Sequence, residues 1–267
     1  MITHDKHIHT QFCPHGSKDS MFQYVERALE LGMSSISFTE HAPLPEGFTD
    51  PVPQLDSAMS KEILPQYIEK CQQIKERFIG QIEINIGLEV DYVAGYEKET
   101  RNFLNTWGPE LDDSILSVHF LKPVGGAYVC LDYDANAFQD LVRQCGSLKK
   151  VYELYFATLH SAISSDLGSF TPNRIGHISL VRKFQKLFPR EFDDSSMLNE
   201  TLQLLKKHDK AMDVNVAGLV KEFCKEIYPP VPWIEKAKNM NIPLYYGSDA
   251  HSAKQLGQNR HMVETLL

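Results

Sequence analysis

The sequence is poor in cysteine, in excess positive charge and in long apolar runs. Its five cysteines, Cys13, Cys71, Cys130, Cys145 and Cys224, are scattered over 267 residues with no CxxC pair. An odd, widely spaced set argues against a disulfide framework and a cysteine-rich zinc site, and it fits a reducing cytoplasm. Lys and Arg number 27 against 35 Asp and Glu, for a net charge of −8. That balance weighs against nucleic-acid or membrane-surface binding, which needs clustered cations. No apolar stretch reaches the ~18 residues of a transmembrane helix. The residues from Met1 to His7 lack a signal-type apolar core. Repeats and low-complexity tracts are missing as well. What the chain does have is histidine, eleven in all, and an apolar content of 42%, enough for a sizeable core.

Short apolar, β-branched runs alternate with helical patterns. The runs Lys6–Thr10, Ser35–Thr39, Ile82–Val90, Ile115–Phe120, Arg174–Ile178, Met212–Val216 and Pro243–Gly247 predict strands. Helical spacing is found over Ser20–Leu31, Ser60–Phe78, Gly95–Trp107, Ala135–Cys145, Ser147–Ser165, Leu180–Leu187, Ser195–His208 and Trp233–Asn239. Such alternation implies parallel strands joined by helical crossovers. Seven strands in one domain spanning 1–267 suggest a barrel, with an open doubly wound sheet as the alternative. The long connection Ala42–Ser60 holds Pro43, Pro45, Pro51 and Pro53 and follows a strand. In a barrel it would overhang the face where active sites are built.

Polar residues fall at the strand ends. His7 and His9 close the first run, Glu40 and His41 the second, and Glu89 and Asp91 the third. His119, His177 and Asn215 mark the next three, and Asp249 and His251 follow the last. Parallel strands bring these ends to one rim. The period-two pairs His7/His9 and Asp249/His251 each point two side chains the same way, as a shared metal ion requires. If the sheet closes, the two pairs become neighbours. Glu89, after an apolar strand, reads as a surface group, an ion-pair member or a bridging metal ligand. Of the adjacent Glu40 and His41, His41 is the better donor, with Glu40 beside it as a supporting or substrate contact. His119 and His177 read as ligands or hydrogen-bonded core residues. His160 sits in a helical pattern. Cys13 lacks the third group of a nucleophilic triad.

Together, His7-Ile8-His9-Thr10, Cys13-Pro14-His15-Gly16, Thr39-Glu40-His41, Gly87-Leu88-Glu89, Ser117-Val118-His119, Gly176-His177 and Ser248-Asp249-Ala250-His251 resemble the polymerase-and-histidinol-phosphatase (PHP) family. Phe38-Thr39-Glu40-His41-Ala42-Pro43 and the segment from Leu111 to Phe120 are similar to its histidinol-phosphate phosphatase branch. The resemblance spans nearly the whole chain. It implies a distorted TIM-like (β/α)7 barrel, a single α/β domain, with a trinuclear centre of zinc, manganese or iron. On that resemblance His7, His9, Glu89 and Asp249 would hold one ion. Glu89, His119 and His177 would hold a second, with His160 as the alternative to His177. His15, His41 and His251 would hold a third.

The implied activity is hydrolysis of L-histidinol phosphate, a step of histidine biosynthesis, in the cytoplasm. Neighbouring ions would acidify a bridging water for in-line attack on phosphorus. Asp249, Glu89 and His251 are the expected catalytic residues, with Asp249 as a candidate acid for the leaving alkoxide. Arg174 or Lys221 would steady the phosphate, and Asn215 and Glu40 would contact substrate or its neighbours. Glu46, Phe48, Asp50 and Asp56 on the long loop are further candidates for recognition. Activity on nucleotides or nucleic-acid ends, and a non-catalytic metal-binding role, are the competing readings. The first would discriminate by substrate panel, the second by absent turnover.

Overall fold

The computed structural model describes residues 1–267. In chain order the strands are β1 His4–Ile8, β2 Ser35–His41, β3 Glu83–Asp91, β4 Ile115–Ser117, β5 Phe120–Leu121, β6 Val129–Cys130, β7 Arg174–Ile175, β8 Ala211–Asn215 and β9 Leu244–Gly247. The helices are α1 Met21–Glu30, α2 Leu64–Arg77, α3 Glu97–Trp107, α4 Ala135–Cys145, α5 Leu148–Ser164, α6 Ser195–Lys207 and α7 Val231–Asn239. No helix is long and apolar enough to cross a membrane.

Seven strands form one parallel sheet in the order β1-β2-β3-β4-β7-β8-β9. The sheet closes on itself through a parallel bridge between Ile8 and Ala250. His9 N–H donates to the Ala250 carbonyl and Asp249 N–H to that of His7, both at 2.9 Å. The protein is therefore a seven-stranded TIM-like α/β barrel, as the resemblance implied, and not an open sheet. All seven residues of β2 are buried, which is why it reads as a continuous rather than alternating pattern.

Local chemistry sets the helix ends. The Ser20 side chain accepts from Gln23 N–H while the Gln23 side chain accepts from Ser20 N–H, a reciprocal cap. Met21, Tyr24, Val25 and Ala28 then bury one face of α1. Asp134 caps α4 through Ala137 N–H at 2.7 Å, and Ser147 caps α5 at Lys150 N–H.

Three expectations shift. The fourth run breaks after Ser117, and Phe120 begins a two-stranded hairpin with β6. The fifth strand stops at Ile175, so His177 lies in the loop beyond it. Leu180–Leu187 is no α-helix: one 3-10 turn spans Leu180–Arg182, and beyond it Lys186 N–H turns away to the Phe223 carbonyl.

Register aligns the chemistry. His41 pairs with Glu89 and Asp91 with Ser117 across neighbouring strands. Two glycines permit this close approach. A Cβ at Gly176 would overlap the Ser117 hydroxyl, and one at Gly247 would strike Asp213 and lie 2.7 Å from the Cβ of His7. Gly247→Ala should lower stability by about 1–3 kcal/mol, read as a fall in the urea midpoint. An unchanged midpoint would show that β8 and β1 have slack there.

Candidate metal centre and active-site cavity

The C-terminal ends of the barrel strands surround a cavity of about 420 Å³. Glu89 is its hub. Its Oε2 lies 3.3 Å from His7 Nε2, 3.4 Å from His9 Nε2 and 3.2 Å from His41 Nδ1. Its Oε1 lies 3.0 Å from His177 Nε2 and accepts from Ser117 Oγ–H at 2.6 Å. Asp249 Oδ1 is 3.2 Å from His9 Nε2 and 3.9 Å from His7 Nε2. His119 Nε2 and His177 Nε2 face one another at 3.1 Å. Towards the mouth, the His251 ring stacks on His9 at 4.1 Å between centroids, and the exposed His15 ring sits 5.3 Å from His41 and 5.2 Å from His251. The structure thus gathers His7, His9, His15, His41, Glu89, His119, His177, Asp249 and His251 into one cage.

A second ring of acceptors orients the donors. Asp213 accepts from His7 Nδ1–H at 2.8 Å, Glu40 from His9 Nδ1–H at 3.2 Å and Asp91 from His119 Nδ1–H at 2.7 Å. The Asp56 carbonyl does the same for His15 at 2.8 Å. Each bond spends the Nδ1 proton outward and leaves Nε2 as a bare donor facing in, the arrangement of a metal-ligating histidine. The consequence is unmet polarity. His7 Nε2, His9 Nε2, His41 Nδ1 and His177 Nδ1 are buried without a hydrogen-bond partner. Of these, His7 Nε2, His9 Nε2 and His41 Nδ1 converge on Glu89, an arrangement that is repulsive unless protons or cations lie between them. The nitrogen and oxygen donors fit divalent cations such as zinc, manganese or iron, and the buried Cys13 sulfur also lies close to His9, His41 and His251.

The sequence profile of the PHP domain matches residues 5–217. The chain belongs to the PHP family. A histidinol-phosphatase of Bacillus subtilis (strain 168) is 47% identical over 259 residues, covering 96% of each chain. The crystal structure of a candidate histidinol phosphatase from Listeria monocytogenes superimposes with a TM-score of 0.93 at 38% identity, covering 97% of this chain and 99% of that one. A Lactococcus lactis histidinol phosphate phosphatase, complexed with zinc, L-histidinol and phosphate, shares the fold at a TM-score of 0.70 and 19% identity, covering 99% of this chain and 93% of that one.

In this PHP cage the surrounding carboxylates favour protons on some histidines, while burial disfavours them on His41 and His251. Burial alone would strip them from His9 and His119. The neighbouring Asp249 and Glu40 outweigh it at His9, lifting its pKa to about 9. Asp91 and Glu89 do so at His119, lifting it to about 10. His7 is raised well above its ordinary value against burial by Glu89, Asp213 and Asp249. His251 goes the other way, down to about 3, through burial and the adjacent charge of His9. Glu89 and Asp249 stay ionised: burial opposes it, but His7 pulls both well below the usual carboxylate range.

Several expected contacts lie elsewhere. Arg174 is at the opposite end of the barrel, because it begins β7; its guanidinium donates to the Lys6 carbonyl at 2.6 Å and to Asp113 at 2.8 Å. It cannot reach a phosphate in this cavity. Glu40 is fully committed to His9, Thr10 and the His41 amide, so it supports the cage rather than touching substrate. Asn215 likewise donates to Asp213 and, at 3.2 Å, to Asp249. Lys221 is exposed on the cavity rim. His160 faces Thr201 on α6, away from the site. On the long loop, Asp50 caps Val52 and Ser57, and Phe48 packs against Tyr96, Phe120 and Tyr128. Glu46 points to solvent, while Asp56 lines the cavity. The lining cation missed from the sequence is Lys183, hidden in a stretch that reads as an amphipathic helix; Asp213 was hidden inside a strand.

A pH dependence follows. His9 and His119 bind protons more tightly folded than unfolded, so they stabilise the metal-free fold fully below their ordinary pKa of ~6.5. That stabilisation is lost as pH rises through about 9 and about 10. The thermal midpoint of chelator-treated protein should fall from pH 7 to 10, and metal loading should flatten the curve because ions displace these protons. A flat curve without metal would contradict this proton binding. Asp213→Ala should weaken metal affinity by roughly 10–100-fold, measured by competition with a chromophoric chelator; wild-type affinity would remove Asp213 as the group that orients His7.

Proposed function

We propose that this PHP chain acts as a single-domain, metal-dependent phosphomonoesterase that hydrolyses L-histidinol phosphate to L-histidinol and phosphate, in histidine biosynthesis. The observation that carries the reading is the buried cage of outward-anchored histidines around Glu89, on a chain nearly half identical to a histidinol-phosphatase along its length. The five free cysteines fit a cytoplasmic setting.

In this reading the donors fall into three groups, two of which share Glu89. His7, His9, Glu89 and Asp249 would hold one ion; Glu89, His119 and His177 a second; and His15, His41 and His251 a third, as zinc, manganese or iron. Bound there, such ions supply Lewis acidity toward phosphoryl oxygens and lower the pKa of water.

The chain's own residues do the rest. Glu40, Asp91 and Asp213 lock the rings of His9, His119 and His7, so the donors need no reorganisation. Asn215 fixes Asp249 through its amide. Asp249, ionised and facing the cavity, would accept a hydrogen bond from the attacking water and so orient it, while the proton that water loses passes to the leaving alkoxide. Lys183 brings a positive charge to the wall where phosphoryl oxygens would gather charge. Phe120, Tyr133 and Leu180 give an apolar wall suited to an imidazole ring.

Phosphate release should be fastest with L-histidinol phosphate in a panel that includes nucleotides and sugar phosphates. It should cease on exhaustive chelation and return with zinc or manganese. Glu89→Ala should lower bound metal by elemental analysis and cut kcat by at least ~100-fold. Equal rates across the panel would refute the substrate, and full activity after chelation would refute the metal centre.

A further inference from the structure

One pair of opposite charges in the cavity takes no part in the donor cage. Lys183 Nζ donates to Asp132 Oδ2 at 2.9 Å and to the Asp132 backbone carbonyl at 2.6 Å. Both residues line the cavity, with side chains only 19% and 21% exposed. Each keeps spare capacity. An ammonium has three donors, and the two contacts with Asp132 leave one free. Asp132 Oδ1 meets only the Cys130 thiol, at 3.4 Å, a weak donor. Burial works against the Asp132 charge, yet Lys183 and the fields of His119 and His177 keep the carboxyl well below its usual range. A part-buried ion pair costs desolvation that it repays poorly by itself. Its position makes better sense if both members meet a ligand.

The carboxylates around the donor cage are already engaged. Glu89 and Asp249 face the histidines, and Asp91 holds His119. Glu40 and Asp213 sit behind the cage. Asp56 also lines the cavity, but Asp132 is the lining acceptor with a fixed cation at its side.

We propose that Asp132 and Lys183 form a two-pronged receptor for a phosphate ester carrying an ammonium group close to its phosphate. Asp132 Oδ1 takes the ammonium, and Lys183 Nζ takes a phosphoryl oxygen. This deepens, and rests on, the activity proposed above. In L-histidinol phosphate the amine is on the carbon next to the one that bears the ester oxygen. The two charges are a few bonds apart, and they would exchange partners with an ion pair one hydrogen bond long. The receptor would thus select aminoalkyl phosphates over amine-free esters. Asp132 is here a specificity-determining residue, and Lys183 supports the phosphate.

The test is a cycle of two enzymes and two substrates. Wild type and Asp132→Asn are each assayed with L-histidinol phosphate and with its deamino analogue, alike except for hydrogen in place of the amine. A charge-assisted hydrogen bond predicts that wild type favours the amine ester by about 10–100-fold in kcat/KM. In Asp132→Asn that preference should shrink to within about threefold. A preference that survives the substitution would overturn the receptor and leave Asp132 as an anchor for Lys183. A wild-type preference near one would overturn it without any variant, so a poorly folding Asp132→Asn protein does not rescue it. If instead neither ester is turned over faster than glycerol phosphate, the activity itself is wrong and the receptor falls with it. If both are fast and the amine is irrelevant, only the receptor is wrong.

Discussion

Everything at the site depends on the contact that closes the barrel. Ile8 bridges to Ala250, and two backbone hydrogen bonds tie His9 and Asp249 to each other's strands. Residues some 240 positions apart in the chain become neighbours through main-chain geometry alone. Because the closure is parallel, it sets His7 and His9, at and just past the end of β1, beside the Asp249/His251 pair after β9. Asp249 takes a left-handed backbone, φ +54°, in doing so. A non-glycine residue in that region stores strain, which persists only where the surroundings over-determine it. Here they do: its amide, its Oδ1 and its Oδ2 are all engaged.

The electrostatic problem is the burial of many polar groups in one place. The fold meets it by layering. Carboxylates behind the histidines take the Nδ1 protons, so the inward face presents lone pairs rather than N–H groups. The inward face is then strongly attractive to positive charge of any kind. Protons and metal ions compete for the same volume, and the net balance of the outer carboxylates decides how many charges the cage can hold. Lys183 stays apart from this competition because Asp132 neutralises it locally.

Much of the centre was legible in the sequence. Strand-end positions made His7, His9, His41, Glu89, His119 and Asp249 recognisable, since period-two spacing and parallel direction are local properties. Strand count and alternation suggested a barrel but left an open sheet as the alternative, because closure depends on the contact between the first and last strands. Side-chain direction beyond the strands was not legible. Arg174 looked close to His177 by number, yet three residues separate the two ends of a short strand and its loop. Lys183 was masked because its segment carries helical spacing, while tertiary bonds from Lys186 to Phe223 override that propensity. Glu40 and Asn215 were recognisable as polar rim residues, but their hydrogen-bond partners depend on strands far away in sequence. The loop from Ala42 was rightly placed over the cavity; which of its acids face inward depends on internal turns such as the Asp50 cap.

Tyr155 has a reach that its place on an outer helix does not suggest. Its hydroxyl donates to the His177 carbonyl at 3.1 Å and accepts from Leu180 N–H at 3.2 Å. The phenol thereby adds to the bond that Gly176 N–H still makes to the Leu116 carbonyl just beyond β7. The bend carrying His177, and with it the approach to Lys183, is braced from outside the barrel wall. Packing of the helical layer thus helps to fix the position of a residue that faces Glu89.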